Sequence, residues 1–521
     1  MFSTIRKVLT LGAGAFVATA VAITAALPAQ AATSYVPISG AGSSWSANAV
    51  EQWRTNVQQY GMRVNFASTG SSDGRNQFRN GTVDYAVSEI PYGLRDGSVV
   101  DSPPANRTFA YMPIVAGGTA MMYNLTSGGK QITNLRLSGE VITKIFTGVI
   151  TKWDDAAIKA DNPQVSLPSR KIVPVVRSDG SGSTAQFTAW MAAKFPSLWG
   201  TYCSAAGRGS GCGLTSNFPV IAGKGFVAQP NSTGVAGYVK QRANDGTITY
   251  VEYSYALNAG FPVAKVLNQA GYYVEPTAQN VAVGLLGAKI NTDLTSNLTG
   301  VYNNSDSRAY PMSSYSYMIV PTSNVNNFTD AKGSTLGAFA KYFLCEGQQQ
   351  APALGYSPLP INLVKSGFDQ IKKIPGSGSV SLDLTKCNNP TFSSDGSNTL
   401  AKNAPQPQSC DKQGATQCAT GTGGAAATTN AAGGTTTGAA AGTDAASSNG
   451  TSGSGANTIS GPMSCNADTG QCIAVNAEAI KIAAEPAWTV GETIMTASVL
   501  LLIAIVLLPP VLSRVLKRKG V

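Results

Sequence analysis

Apolar runs that break into polar, glycine-bearing turns and resume with helical spacing recur along the first half of the chain. Residues 172–176 form one such run and read as a buried strand; 177–184 (RSDGSGST) form the turn, and 185–193 have the spacing of a helix. The same order appears at 36–38, 40–44 and 47–57, and again at 63–67, 68–74 and 75–80. A third short strand, 85–87, ends at Ser88-Glu89-Ile90-Pro91. Repeated strand and helix alternation predicts α/β lobes with mainly parallel sheets.

Each turn also carries chemistry. Backbone N–H groups at a helix start have no intrahelical partner and lie at the positive end of the helix dipole, so they aim donors at whatever stands in front. In the 177–184 turn, Gly180 and Gly182 let backbone approach closely, Ser181 and Ser183 add hydroxyls, and Arg177 supplies a charged fork suited to an oxyanion. Asp179 is placed to pair with Arg177 and hold it. Any one such turn is equally explained by helix capping. Three of them, with an acidic residue at a strand end, predict a crevice at the carboxyl ends of parallel strands, where open α/β sheets bind ligands.

Composition narrows the chemistry. The 521 residues contain no histidine, which removes Ser-His-Asp and Cys-His catalysis and every histidine-based metal site. No catalytic residue, metal or cofactor is expected. Of the net charge of +10, six units come from Arg6, Lys7, Arg514, Lys517, Arg518 and Lys519 at the two ends. The modest excess between them, with no basic block interleaved with aromatics, gives no reason to expect nucleic acid as a partner. Eight cysteines without a CxxC pair predict structural disulfides in an exported chain. Pairing by proximity gives 203–212, 345–387, 410–418 and 465–472.

Residues 1–31 read as an export signal, with Arg6 and Lys7 ahead of an apolar stretch and Ala29-Gln30-Ala31 as the cleavage site. Past Asn388 the composition turns to Ser, Asn, Pro and Gly, and 419–461 is almost wholly Ala, Gly, Thr, Ser and Asn. That predicts a disordered, low-complexity linker over 388–490, carrying short disulfide loops. Residues 494–512 are apolar apart from Thr496 and Ser498 and, at 1.5 Å per residue, cover roughly 28 Å, enough for a transmembrane helix. The basic tail 513–521 then predicts a cytoplasmic C-terminus and an extracytoplasmic domain anchored in the cell membrane.

Seven stretches, in order, resemble the PstS-type phosphate-binding receptors of phosphate ABC importers: GAGSSW (40–45), VNFASTGSSDG (64–74), VDYAVSEIP (83–91), ITKWDDAAI (150–158), VVRSDGSGSTAQF (175–187), GTITYVEYSYA (246–256) and YPMSSYSYMIV (310–320). The resemblance implies a two-lobed, type II periplasmic-binding-protein fold with a hinge of two crossovers, near Pro113 and Pro311. Lobe I would take 33–113 and 311–387, and lobe II 114–310. It also implies a non-enzymatic receptor that binds inorganic phosphate between the lobes and passes it to the permease subunits of an ABC importer. The phosphate would be held by Ser44, the Trp45 backbone, Ser71, Arg177, Asp179, Ser181, the Gly182 backbone and Ser183. Glu89 stands where the family usually has aspartate, the carboxylate that accepts a hydrogen bond from protonated phosphate and turns sulfate away. Two alternatives use the same fold: a surface adhesin or matrix protein that no longer serves transport, and a phosphohydrolase.

Overall fold

The computed structural model describes residues 35–96, 99–209, 212–379, 381–384, 386–393, 395–427, 463–465 and 472–474. The expected export signal, the apolar run 494–512, the basic tail and most of the expected linker lie outside these residues. Among the described residues no helix is long and apolar enough to cross a membrane.

The first three turns sit where their patterns place them. Strand β1 (Ile38–Gly42) leads to helix α1 (Ala47–Asn56), β2 (Val64–Ala67) to α2 (Ser71–Arg79), and β3 (Tyr85–Ser88) ends beside them. Strand β4 (Phe109–Asn124) follows. The second group repeats the plan: β5 (Val173–Arg177) with α3 (Gly182–Lys194), then β6 (Val227–Gln229) with α4 (Asn231–Val239). Next come β7 (Thr247–Glu252) with α5 (Tyr253–Ala259), β8 (Val263–Leu267) and α6 (Ala278–Leu285). The chain then returns along β9 (Ser313–Pro321) and packs α7 (Asp330–Leu344) and α8 (Ile361–Ile371) against the first group.

The strands form one sheet in the order β6-β5-β7-β4-β9-β3-β1-β2, with β8 also paired to β4. Within each half a set of strands runs parallel: β1 with β2 and β3, and β5 with β6 and β7. The halves meet on β4. Its first part, up to Gly118, pairs antiparallel with β9, and its last part, from Thr119, pairs antiparallel with β7. Ser316 faces Val115 while Tyr317 faces Pro113, a register shift that bulges the long strand at Ile114. The result is a two-domain α/β arrangement whose halves share one continuous strand, β4.

Three of the four expected cystine pairs are present: Cys203–Cys212, Cys345–Cys387 and Cys410–Cys418. The fourth falls on Cys465 and Cys472, which face each other across a short antiparallel strand pair and whose side chains are outside the described set.

The expected linker is the part of the reading that the structure corrects. Residues 388–427 are not a free tether at all. Asn389 Nδ2 and Thr391 Oγ1 donate to the Leu359 carbonyl, at 2.9 and 2.8 Å, on the first half of the molecule. The segment then crosses to the second half. There the buried Arg136 guanidinium donates to the carbonyls of Cys410 (3.1 Å) and Thr416 (2.7 Å), and Lys265 pairs with Asp411 at 2.7 Å. Asn134 Nδ2 holds the Cys418 carbonyl at 2.8 Å, and the Thr422 hydroxyl donates to Thr133 O at 3.0 Å. Polar composition misled because this stretch docks through its own main-chain carbonyls and a few charges. It needs few apolar side chains.

Candidate functional site

Parallel pairing brings the carboxyl ends of β1, β3, β5 and β6 to one place, and the turns leaving three of them start α1, α3 and α4. With α2, four helix starts face one another: two from the first half and two from the second. Their first N–H groups, which have no intrahelical acceptor, and their dipoles concentrate positive potential there.

Sheet register delivers Glu89. Tyr317 faces Ser88 across the β9–β3 pair, so the next residues in each strand, Ser316 and Glu89, come together. The parallel β1–β3 pair ends with Gly42 opposite Val87, and Ser43 N donates to Val87 O at 2.8 Å, which places the Ser43 hydroxyl on the same carboxylate. Glu89 is 1 % exposed. Its Oε1 accepts from Ser43 and lies 2.9 Å from Ser316 Oγ; its Oε2 accepts from Ser71 Oγ at 2.7 Å. Burial pushes its pKa above the usual carboxylate range, against the opposing pull of the three hydroxyls and of Arg177.

Arg177, at the end of β5, is 3 % exposed. Its guanidinium forks onto Asp179, with Nε 2.7 Å from Oδ1 and Nη2 on Oδ2, and Asp179 Oδ1 also accepts from Asn231 N at 2.8 Å. The remaining Nη1 lies 3.4 Å from Ser232 Oγ. Two glycines make this closeness possible. A side chain at Gly70, whose φ is +95°, would meet Asp179 Oδ2 at 2.5 Å, and one at Gly182 would meet Glu89 Oε2 at 2.1 Å.

The nine residues predicted from sequence all lie at or beside these strand ends and helix starts. Ser44 Oγ lies 3.0 Å from Ser232 Oγ and accepts from Ser232 N at 3.0 Å, across the two halves. The Trp45 N–H donates to Ser43 Oγ at 3.0 Å, and the indole is buried edge-on to Tyr356. Ser71 Oγ accepts from Gly182 N at 3.1 Å, again across the halves. Ser181 caps α3 by accepting from Thr184 N at 3.2 Å. Ser183 Oγ is buried without a hydrogen-bond partner among the described residues. A buried hydroxyl of that kind is a donor suited to an anion.

Sequence reasoning missed Ser43, Ser232 and Ser316. Ser232 belongs to a fourth strand, turn and helix (VAQPNSTG, 227–234) that carries the same signal as the others in weaker form. Ser316 is on a strand, where no local pattern marks it. Among the described residues no group of three or more Cys, Asp or Glu is placed to hold a metal ion.

The family model described as PBP superfamily domain matches residues 27–346. A phosphate-binding protein PstS of Xylella fastidiosa is 33% identical over 342 residues, covering 65% of this chain and 85% of the relative. The PstS of Haemophilus influenzae is 30% identical over 340 residues, covering 64% and 92%. An X-ray structure of a phosphate-binding protein from Stenotrophomonas maltophilia aligns with a TM-score of 0.46 at 18% identity, covering 64% of this chain and 92% of that one. By the extent of the domain match and the identity to relatives spanned over most of their length, the chain belongs to the periplasmic-binding-protein superfamily and, within it, to the PstS family.

Proposed function

We propose that the protein is an extracytoplasmic receptor that captures inorganic phosphate between its two halves and delivers it to an ABC importer. The observation that carries this reading is the convergence of four helix starts, the Arg177 fork and the buried Glu89 carboxylate on one enclosed point. Hydroxyls of Ser44, Ser181 and Ser183, backbone N–H groups of Trp45 and Gly182, and Arg177 would donate to the oxygens, and Ser71 would line the site while its own proton goes to Glu89. Several of these donors are paired with one another across the halves, and the anion would take over those bonds when it enters. Asp179 holds Arg177 in the orientation the oxygens need.

Glu89 supplies the discrimination. A buried carboxylate facing a fully deprotonated tetrahedral anion leaves two negative charges unreconciled, at a cost of several kcal/mol. Phosphate at neutral pH brings a proton to that contact; sulfate does not. Selectivity therefore arises from repulsion of the competitor as much as from attraction of the ligand. Calorimetric titration of the purified full-length chain with phosphate and with sulfate tests the reading. Saturable phosphate binding with weak or absent sulfate binding is expected, and equal affinity for both ions, or no phosphate binding, refutes it.

The same proposal includes a tether. The apolar run 494–512 followed by Arg514, Lys517, Arg518 and Lys519 supports a single membrane helix with the receptor outside. Truncation after residue 490 should release the protein from the membrane fraction; retention of the truncated protein would refute the tether.

A further inference from the structure

We propose that Ser43 and Ser316 are positioning residues: they occupy one oxygen of Glu89 and leave a single acceptor direction on the other for a ligand-borne proton. This inference rests on the phosphate reading above and goes beyond it by locating where the selectivity is set.

An ionised carboxylate offers about four acceptor directions, two on each oxygen. Ser43 and Ser316 both address Oε1, and Ser71 addresses Oε2. One direction is left, on Oε2. That oxygen is the one against the start of α3, where a Cβ at Gly182 would sit 2.1 Å from it. The oxygen that meets the anion is thus chosen by the two serines on the opposite side. All three hydroxyls come from the first half of the molecule: the turn after β1, the start of α2, and β9. The carboxylate is therefore oriented before the halves close, and closure adds the donors of α3 and α4 to a site already set to test for a proton.

Hydroxyl donors also favour the charged form of the group they address. The other charged or titratable groups facing Glu89 are Arg177 on β5, Tyr255 on α5 and Tyr317 on β9. Arg177 favours the ionised carboxylate. Both tyrosine hydroxyls are pushed up by burial and stay neutral, Tyr255 donating to Ser44 O at 2.6 Å and Tyr317 lying 2.5 Å from Ser296 Oγ. Ser43 and Ser316 are thus the part of the surroundings that holds Glu89 ionised without also contacting the anion.

The test is the pH profile of binding. Sulfate can enter only when Glu89 is protonated and donates. Removing a hydroxyl donor makes protonation easier, so the pH below which sulfate binds moves upward. For the full-length protein titrated with phosphate and sulfate from pH 5 to 9, Ser43→Ala and Ser316→Ala should each raise that pH by about one unit, a tenfold gain in sulfate affinity at fixed pH. Ser316→Thr, which keeps the hydroxyl, should retain the parent profile. Ser316→Cys, close in volume and a weaker donor, should give a smaller shift in the same direction and carries the test if the alanine variant does not fold. An unchanged sulfate profile in the donor-deficient variants, with phosphate binding intact, overturns the positioning role. Failure of the parent protein to prefer phosphate overturns the receptor reading instead.

Discussion

Replacing Arg177 by alanine separates what the guanidinium does for the ligand from what it does for the fold. The side chain is 2 % exposed and forked onto Asp179, which keeps 17 % exposure. Truncating one member of a buried, hydrogen-bonded charge contact costs about 3–5 kcal/mol, and nearly all of that should fall on an anion enclosed beside Arg177. At about 1.4 kcal/mol per tenfold, phosphate affinity should drop by roughly two to three and a half orders of magnitude. The fold pays less. Asp179 keeps the Asn231 N–H at 2.8 Å and some water, so its stranded charge should lower stability by about 2 kcal/mol. Arg177→Ala/Asp179→Ala removes that charge and should regain part of the lost melting temperature while phosphate binding stays weak. Calorimetric titration and thermal melts on the parent, single and double variants read the two effects independently. A loss of affinity below tenfold, or no recovery of melting temperature in the double variant, refutes the reasoning.

Three further outcomes follow from features away from the anion. Glu252 is fully buried, with Oε2 accepting from Ser254 N at 2.8 Å and Oε1 without a partner among the described residues, and burial holds its pKa well above the ordinary value. The folded chain keeps a proton that the unfolded chain releases, so stability falls as pH rises from the ordinary glutamate value toward the folded one. Glu252→Gln has no proton to lose, and its melting temperature should gain on the parent as pH rises through that window; parallel curves would count against this. The Cys345–Cys387 bridge closes a 42-residue separation, and replacing both cysteines by alanine should cost about 4 kcal/mol on the loop-entropy account, read from denaturant unfolding. Arg136→Ala removes the donor that gathers the carbonyls of Cys410 and Thr416, and limited proteolysis should then cut within 405–427 before the rest of the molecule; an unchanged digest would show that the other contacts suffice.

Much of this was legible in the sequence because the chemistry repeats a local pattern. A strand that ends in glycine and serine and opens a helix announces its donors within eight residues, and the turns holding Ser44, Ser71 and Ser181 to Ser183 could be found one at a time. Glu89 was visible as a charge closing an apolar strand. What escaped was whatever depends on pairing between distant segments. Ser316 reaches Glu89 across 227 residues through the β9–β3 register, and nothing in its neighbourhood, where serines alternate with aromatic and apolar residues along a strand, singles it out for a polar task. Ser232 was missed because its strand has only three residues and its turn begins with proline. Segment 388–427 was misjudged for a different reason. Composition reports how much apolar surface a stretch can bury, whereas this one is held by backbone carbonyls that every sequence possesses.

That segment also sets the smallest piece of the chain that should stand alone. The matched superfamily domain ends at residue 346, and a fragment cut at the last lobe residue expected from sequence would stop at 387. Such a fragment would strand two inward cations: Arg136, 1 % exposed, would lose the carbonyls of Cys410, Gly414 and Thr416, and Lys265 would lose Asp411. Each would have to draw in solvent or rearrange, which makes aggregation of the shortened product the expected result. Expression boundaries belong at or beyond 427. Any opening of the cleft, moreover, has to carry a third strand of chain that is fastened on either side of it.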